Sequence, residues 1–282
     1  MIGVRSPRHP SSGWVAGVKS QNKNFWLLTP VFCILLFACD SSPKKLYNEA
    51  ERKIFDGKYR QAVEKYTQIL EKYPHSGYAD DALFKLGETH FLNLNNIQVA
   101  LGYFSELINK GKRNKISYSS QKYIAQIYDE YLKNYDQAII EYYKLKSNYG
   151  VWGDTDKNQF NIAKCYFKKG DYEQAAIEFK IILETYPKND FSPDALYQFS
   201  NCKYLLGRYN EAIAGYKRLI ENYPQSRYII DGKYGIGMCL EEQERLGEAL
   251  VVYREIGDKY INKEMLAKKI DGLEKRMREL GR

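Results

Sequence analysis

Apolar positions along this chain follow two patterns. Residues 25–38, FWLLTPVFCILLFA, are almost unbroken in apolar character. Beyond them, apolar side chains recur every three or four positions, the spacing that gives an α-helix one water-shielded face. The helical stretches themselves recur. Six alanines, Ala62, Ala100, Ala138, Ala175, Ala212 and Ala249, stand at intervals of 38, 38, 37, 37 and 37 residues. Four residues after each comes an aromatic: Tyr66, Phe104, Tyr142, Phe179, Tyr216 and Tyr253. Tyr59, Tyr135, Tyr172 and Tyr209 precede four of the alanines by three residues, and Tyr73-Pro74, Tyr186-Pro187 and Tyr223-Pro224 close three of the units.

Each position has a physical reason. An alanine in the second helix of a hairpin lets the first helix approach closely, and the aromatic one turn later fills the space on the same face. Gly57, Gly170 and Gly207 fall between the helices, where a tight helix end requires positive φ. Proline ends the second helix because it lacks the backbone donor. Ser192-Pro193-Asp194 reads as a helix start, with serine as N-cap and proline at the first helical position. The prediction is an all-α chain of six helical hairpins.

The segments KKGDYEQAAIEFKIILETYP (168–187) and LLGRYNEAIAGYKRLIENYP (205–224) resemble the tetratricopeptide repeat (TPR). The resemblance covers 45–261 and implies a right-handed superhelical solenoid of six repeats of 37–38 residues. Repeats two and three lack the Tyr-Pro closure, and repeat six lacks the closing proline. In 262–282, Met265, Leu266, Ile270, Leu273, Met277 and Leu280 recur at helical spacing. That segment reads as a helix capping the last repeat, whose apolar face would otherwise meet water, with a partner-binding helix as the alternative.

The fourteen residues 25–38 would span roughly 21 Å as a helix, short of the roughly 30 Å hydrocarbon core. With Lys19 and Lys23 before them, they read as the core of a cleaved signal peptide, residues 1–38, rather than a membrane span. Leu36-Phe37-Ala38-Cys39 resembles the bacterial lipobox, with Phe37 bulkier than usual at the second position. The resemblance implies lipidation of Cys39 and a membrane tether, with 39–44 as a short lipidated linker; two acyl chains anchor stably where one is marginal. If Cys39 is incidental, the leader is an ordinary secretion signal. The outer membrane is favoured, and the inner membrane stays open because Asp40 resembles the inner-membrane retention signal of enteric bacteria.

Charge changes this picture little. Of the formal +8, +4 comes from Arg5, Arg8, Lys19 and Lys23 in the leader, and the other +4 is dispersed among 35 acids. Nucleic-acid binders concentrate base on one face, and no such block is present. The three histidines do not cluster, and Cys165, Cys202 and Cys239 are spaced by the repeat period, so neither a metal site nor a cofactor is expected. Stacked repeats lie roughly 10 Å apart, too far for a disulfide, so these cysteines read as small buried thiols. No phosphate loop or nucleophile motif appears, and no enzyme or small-molecule substrate is expected.

One set of aromatics is not absorbed by the repeat. Phe84, Phe160, Tyr197 and Tyr234 stand early in the first helices of repeats two, four, five and six, and Phe167 and Tyr204 two turns further on. The resemblance places that part of the helix on the concave groove, where an aromatic stripe suits capture of an extended or helical peptide. The alternative is that these rings pack against the neighbouring repeat. Residues LYNEAERKIFDGKYRQAVEKYTQILEKYPHSGYADDAL (46–83) are similar to the start of BamD, the lipoprotein of the β-barrel assembly machinery. The later repeats resemble the periplasmic TPR protein that coordinates Tol–Pal with cell-wall synthesis, without its N-terminal coiled coil. Both resemblances imply a periplasmic scaffold with protein partners in the cell envelope. An accessory that binds peptidoglycan or exported polysaccharide through the aromatic groove, with Asn161, Asn201, Asp194 and Asp231 nearby, is the alternative.

Overall fold

The computed structural model describes residues 42–187 and 189–281. The leader, the lipobox with Cys39, and the start of the linker lie outside the described residues. The described residues hold thirteen α-helices and no strand. Twelve helices form six hairpins: α1 (Pro43–Phe55) with α2 (Tyr59–Lys72), α3 (Ala79–Glu88) with α4 (Ile97–Asn109), α5 (Lys115–Gln126) with α6 (Tyr135–Tyr149), α7 (Thr155–Lys169) with α8 (Tyr172–Thr185), α9 (Ser192–Leu205) with α10 (Tyr209–Asn222), and α11 (Ile229–Glu242) with α12 (Leu246–Ile256). The last helix is α13 (Lys263–Glu279). Each helix packs chiefly on the ones before and after it, and first helices touch across repeats, α3 with α5 and α9 with α11. That is the one-dimensional packing of a solenoid.

The recurrent alanines and the aromatics that follow them build the core. All six alanines are fully buried, and so are Tyr66, Phe104, Phe179 and Tyr253. Residues with little or no side chain in the first helices, Ala50, Gly87, Ala125, Ala163, Ser200 and Gly237, lie opposite and are buried too. Ion pairs tie the end of a hairpin to its start, Lys110 and Lys112 to Asp80 (2.9 and 2.7 Å) and Arg227 to Asp194 (2.7 Å), and Arg208 of repeat five reaches Glu173 of repeat four (3.0 Å).

The two 38-residue intervals have a structural cause. The first helices of repeats two and three each end in a π turn, Thr89–Asn93 after α3 and Ile127–Tyr131 after α5. A π turn takes one extra residue within the helix, so the surplus residue never reaches the loop. Every hairpin turn then passes through one left-handed residue. Glycine serves at Gly57, Gly170 and Gly207, but Asn95, Lys133 and Glu244 take the same role at φ 51–57°.

Two local expectations shift. The cap of α9 is Phe191, one residue earlier than expected, because the Ser192 hydroxyl donates to the carbonyl of Tyr186 and to Asn189 Oδ1 instead of capping. Helix α1 begins at Pro43, capped by the Ser42 hydroxyl, so the last residues assigned to the linker are already helical. At the far end, Leu266 and Leu273 of α13 join the buried cluster of the last repeat, and Lys269 and Arg276 reach back to Glu241 (2.8 Å) and Glu244 (2.5 Å).

Candidate partner-binding groove

The first helices of consecutive hairpins form one wall, and their aromatic residues are arranged as a ladder. Phe160 packs edge-on to Phe179 at 5.7 Å and stacks on Phe191 at 5.3 Å. Tyr197 stacks on Tyr228 at 4.5 Å and leans on Tyr216 at 6.1 Å. Tyr234 stacks on Tyr260 at 4.7 Å and leans on Tyr253 at 5.4 Å. Phe84 lies between Phe104 and Tyr123, each at 5.9 Å. Each ring thus joins the framework aromatic of its own hairpin to an aromatic of the next unit, a geometry that stabilises each pair by about 0.5–1.5 kcal/mol beyond area burial.

Phe160 is only 9% exposed. Phe84, Tyr197 and Tyr234 are half-buried, with faces turned to protein rings. Phe167 and Tyr204 sit two positions beyond the small cysteines Cys165 and Cys202 and pack on Tyr172 and Tyr209 of their own hairpins, at 5.4 and 5.7 Å. What these six offer a partner is edges and hydroxyls, not open ring faces, and a sugar-stacking platform is correspondingly reduced. The ladder has a first rung that the sequence reading passed over. Tyr47 packs on Tyr66 (5.6 Å) and Tyr78 (5.4 Å), and stands fifteen residues before Ala62 just as Phe160 stands before Ala175.

The ladder is interrupted in repeat three, where Lys122 occupies the rung. Its ammonium, with the Tyr118 hydroxyl, binds the Asp154 carboxylate at 2.8 and 2.5 Å. These two donors hold the Asp154 carboxyl below its usual range, and the pairing raises Lys122 against the opposing effect of burial. Beside Lys122 a cleft of about 360 Å³ opens between α5 and α7. Lys122, Gln126 and Glu130 line one side, Lys157, Asn158, Asn161 and Lys164 the other, with Tyr142 and Leu145 of α6 and the rings of Phe160 and Phe191 completing it.

Behind that cleft the core changes chemistry. Where repeats one, two and five bury Leu46, Leu83 and Leu196, repeats three and four bury Gln121 and Gln159. Their amides donate to the buried carboxylates Glu141 and Glu178, each at 2.5 Å. Gln137 and Lys144 complete the shell of Glu141 (2.6 and 3.0 Å), and Gln174 and Tyr143 that of Glu178 (2.9 and 2.8 Å). A buried carboxylate is tolerated only with such partners.

Burial pushes the thiols of Cys165, Cys202 and Cys239 up to about 12, so they are not nucleophiles. Among the described residues, no three metal-ligating side chains come together, and no helix is long and apolar enough to cross a membrane. The groove presents ammonium, amide and hydroxyl donors along one wall.

Comparison with known proteins agrees on the class. Two family models, each described as a tetratricopeptide repeat, match residues 157–189 and 194–226, and residues 47–116. No curated protein sequence matches the chain. Among solved structures, a tetratricopeptide repeat protein from Parabacteroides merdae is 18% identical, with a TM-score of 0.54 over 81% of this chain and 85% of its own. The C-terminal part of a TPR repeat-containing protein from Cytophaga hutchinsonii is 16% identical, with a TM-score of 0.56 over 75% of this chain and 78% of its own. PilW, a type IV pilus biogenesis factor, is 14% identical, with a TM-score of 0.50 over 80% and 98%. At such identities the likeness carries the fold alone. The chain carries tetratricopeptide repeats and folds as a TPR solenoid, a class whose members mediate protein–protein interactions.

Proposed function

We propose that this protein is a lipid-anchored scaffold on the periplasmic side of a bacterial envelope, holding an extended segment of an envelope partner along its first-helix wall. The observation that carries the reading is the wall itself: six consecutive first helices with a donor-lined cleft at their centre. A rigid, ladder-packed groove loses little entropy when a segment settles on it. The leader and Leu36-Phe37-Ala38-Cys39 support the anchor, with the outer membrane favoured over the inner. The likeness of repeat one to BamD supports a place in outer-membrane protein assembly, and the later repeats support a Tol–Pal-type place instead. The scaffold reading involves no catalytic step.

Site-specific photocrosslinking in intact cells tests the proposal. A crosslinking residue at Asn161 or Asn201, on the first-helix wall, is expected to capture an envelope protein; one at Ile177 or Ala214, on the second helices, is not. Capture from both faces alike, or from neither, overturns the groove reading. Replacing Cys39 with serine is expected to release the protein from membranes into the periplasmic fraction, and retention of the variant in washed membranes counts against the lipid anchor.

A further inference from the structure

We propose that the edge formed by the loops between hairpins lies against an anionic phospholipid surface. The inference rests on the anchor reading above and deepens it by fixing which edge faces the membrane. Short turns make consecutive helices antiparallel. The start of α1, the loops after α2, α4, α6, α8, α10 and α12, and the first turns of the helices that follow therefore share one edge. Three peptide units separate Cys39 from Ser42, at most about 11 Å of extended chain. An acylated Cys39 thus holds the start of α1, and this edge with it, near the headgroups. The hairpin-turn edge also exposes apolar side chains, Phe55 and Leu92 among them, but it stands a full helix from the anchored end, about 20 Å.

Two further features of the edge select a lipid surface. First, apolar side chains stand where its other loops are polar. The Tyr-Pro closures of repeats one and five continue with His75-Ser76 and Gln225-Ser226. At the same offset after Tyr149 stand Val151 and Trp152, 93% and 44% exposed, and Ile261, 96% exposed, takes the place of the proline after Tyr260. At that exposure Val151 and Ile261 add next to nothing to the folded core. Trp152 stacks on Tyr118 at 6.3 Å, which holds the ring at the rim, and an amphipathic indole suits the headgroup level of a bilayer. Second, the free charge is positive. Lys44, Lys45, Arg113, Lys115, Lys259 and Lys263 are exposed, and among the described residues none forms an ion pair. Asp80, Asp154 and Asp194 of the same edge already pair with Lys110, Lys122 and Arg227. Asp190 and Asp258 are the exposed acids left there without a cation. Free cations within a Debye length of anionic headgroups are drawn to them. Acylation supplies the affinity, and the edge sets the orientation, with the first-helix wall left open to a partner.

Trp152 is the only tryptophan after the leader, so its fluorescence reports on this edge alone. The chain from Cys39 onward is coupled through that cysteine to vesicles carrying a maleimide-headgroup lipid; Cys165, Cys202 and Cys239 are buried and do not compete. On vesicles of phosphatidylcholine and phosphatidylglycerol, Trp152 emission is expected to shift to the blue and to fall roughly twofold when the lipids carry a shallow nitroxide quencher. Vesicles of phosphatidylcholine alone should give a much smaller response. Arg113→Glu/Lys115→Glu is expected to lose the shift, whereas Arg52→Glu/Arg60→Glu, near the hairpin turn of repeat one, keeps it. All four side chains are exposed, and thermal melting should confirm an intact fold. A Trp152 spectrum that ignores the anionic vesicles overturns the proposal and leaves the edge to a protein partner. So does an equal response on phosphatidylcholine alone, or quenching of the Phe55→Trp/Trp152→Phe reporter instead, which would turn the hairpin edge to the membrane. The coupling supplies the tether chemically, so these outcomes judge the edge, while fractionation of Cys39→Ser judges the native anchor separately.

Discussion

The closest helix contact in repeat two makes a sharp test of how this solenoid is held together. A Cβ added at Gly87 would lie 2.5 Å from Cε1 and 2.8 Å from Cδ1 and Cζ of Phe104. That ring has no free direction to move. It is fully buried, stacked on Tyr123 at 4.9 Å with planes 4° apart, and flanked by Phe84 at 5.9 Å. Overpacking of this kind costs about 1–3 kcal/mol, offset by up to about 1 kcal/mol of helix propensity gained on leaving glycine. Gly87→Ala should therefore destabilise by about 1–2 kcal/mol. Gly102 in α4 is the control, since a Cβ there meets nothing within 4 Å. Gly102→Ala should stabilise by about 0.5–1 kcal/mol. With a urea m-value of about 2 kcal/mol/M, the two midpoints should separate by about 1 M. Hydrogen exchange should place the loss in α3 and α4, because a solenoid transmits instability mainly to its neighbours. Combining Gly87→Ala with Phe104→Leu should recover part of the deficit as a coupling energy. Equal shifts of the two single variants, or strict additivity in the double, would refute the argument that ring contact sets the helix spacing.

Three further outcomes follow from particular residues. Lys133→Gly and Glu244→Gly, at left-handed turn positions, should each stabilise by up to about 1 kcal/mol, whereas Gly170→Ala at φ 85° should destabilise, as chemical denaturation can measure. Cys165, Cys202 and Cys239 should resist maleimide at pH 8 in the native protein and react together on unfolding, with electrophoretic mobility unchanged by reductant. Burial and nearby carboxylates raise Tyr47 and Tyr123 from 10 to about 12. The unfolded chain loses these protons first as pH rises, so this contribution to stability is complete below pH 10 and lost between 10 and 12. A melting temperature that stays flat across that window would contradict the packing of both rings.

Much of the fold was legible because each hairpin repeats the same solution. The alanine and the aromatic four residues on are core positions in every unit, so their period alone located the second helices. What the period could not tell was where the extra residue of repeats two and three goes. An insertion fits a loop or a helix equally well on paper, and only packing against α4 and α6 settles it as a π turn. The hairpin turns at Asn95, Lys133 and Glu244 were missed for a different reason: glycine was the signal sought, although these residues stand at the same offset. Tyr47 was legible by offset as well. The groove fared worse. Whether Phe160 faces a partner or the next repeat depends on Phe191, a loop residue outside the repeat pattern. Asn158, buried in the cleft with its Nδ2 unpaired, depends on burial that no sequence spacing encodes.

The departures from the ideal repeat are not scattered. The π turns, the Gln–Glu pairs in place of leucine, and the lysine in the aromatic ladder all fall in repeats two to four, as do two of the three missing Tyr-Pro closures. Each departs from the solution that the first and fifth repeats apply in full. A leucine core tolerates small slips of one helix over its hairpin partner, whereas Gln121–Glu141 and Gln159–Glu178 leave a carboxylate unpaired if that register moves. The central repeats thus exchange some intrinsic stability for a fixed relation of α5 to α6 and of α7 to α8, and Tyr143 of α6 joins the two hairpins by donating to Glu178. Helices α5, α6 and α7 also line the donor-rich cleft, so these pairs hold its walls in register.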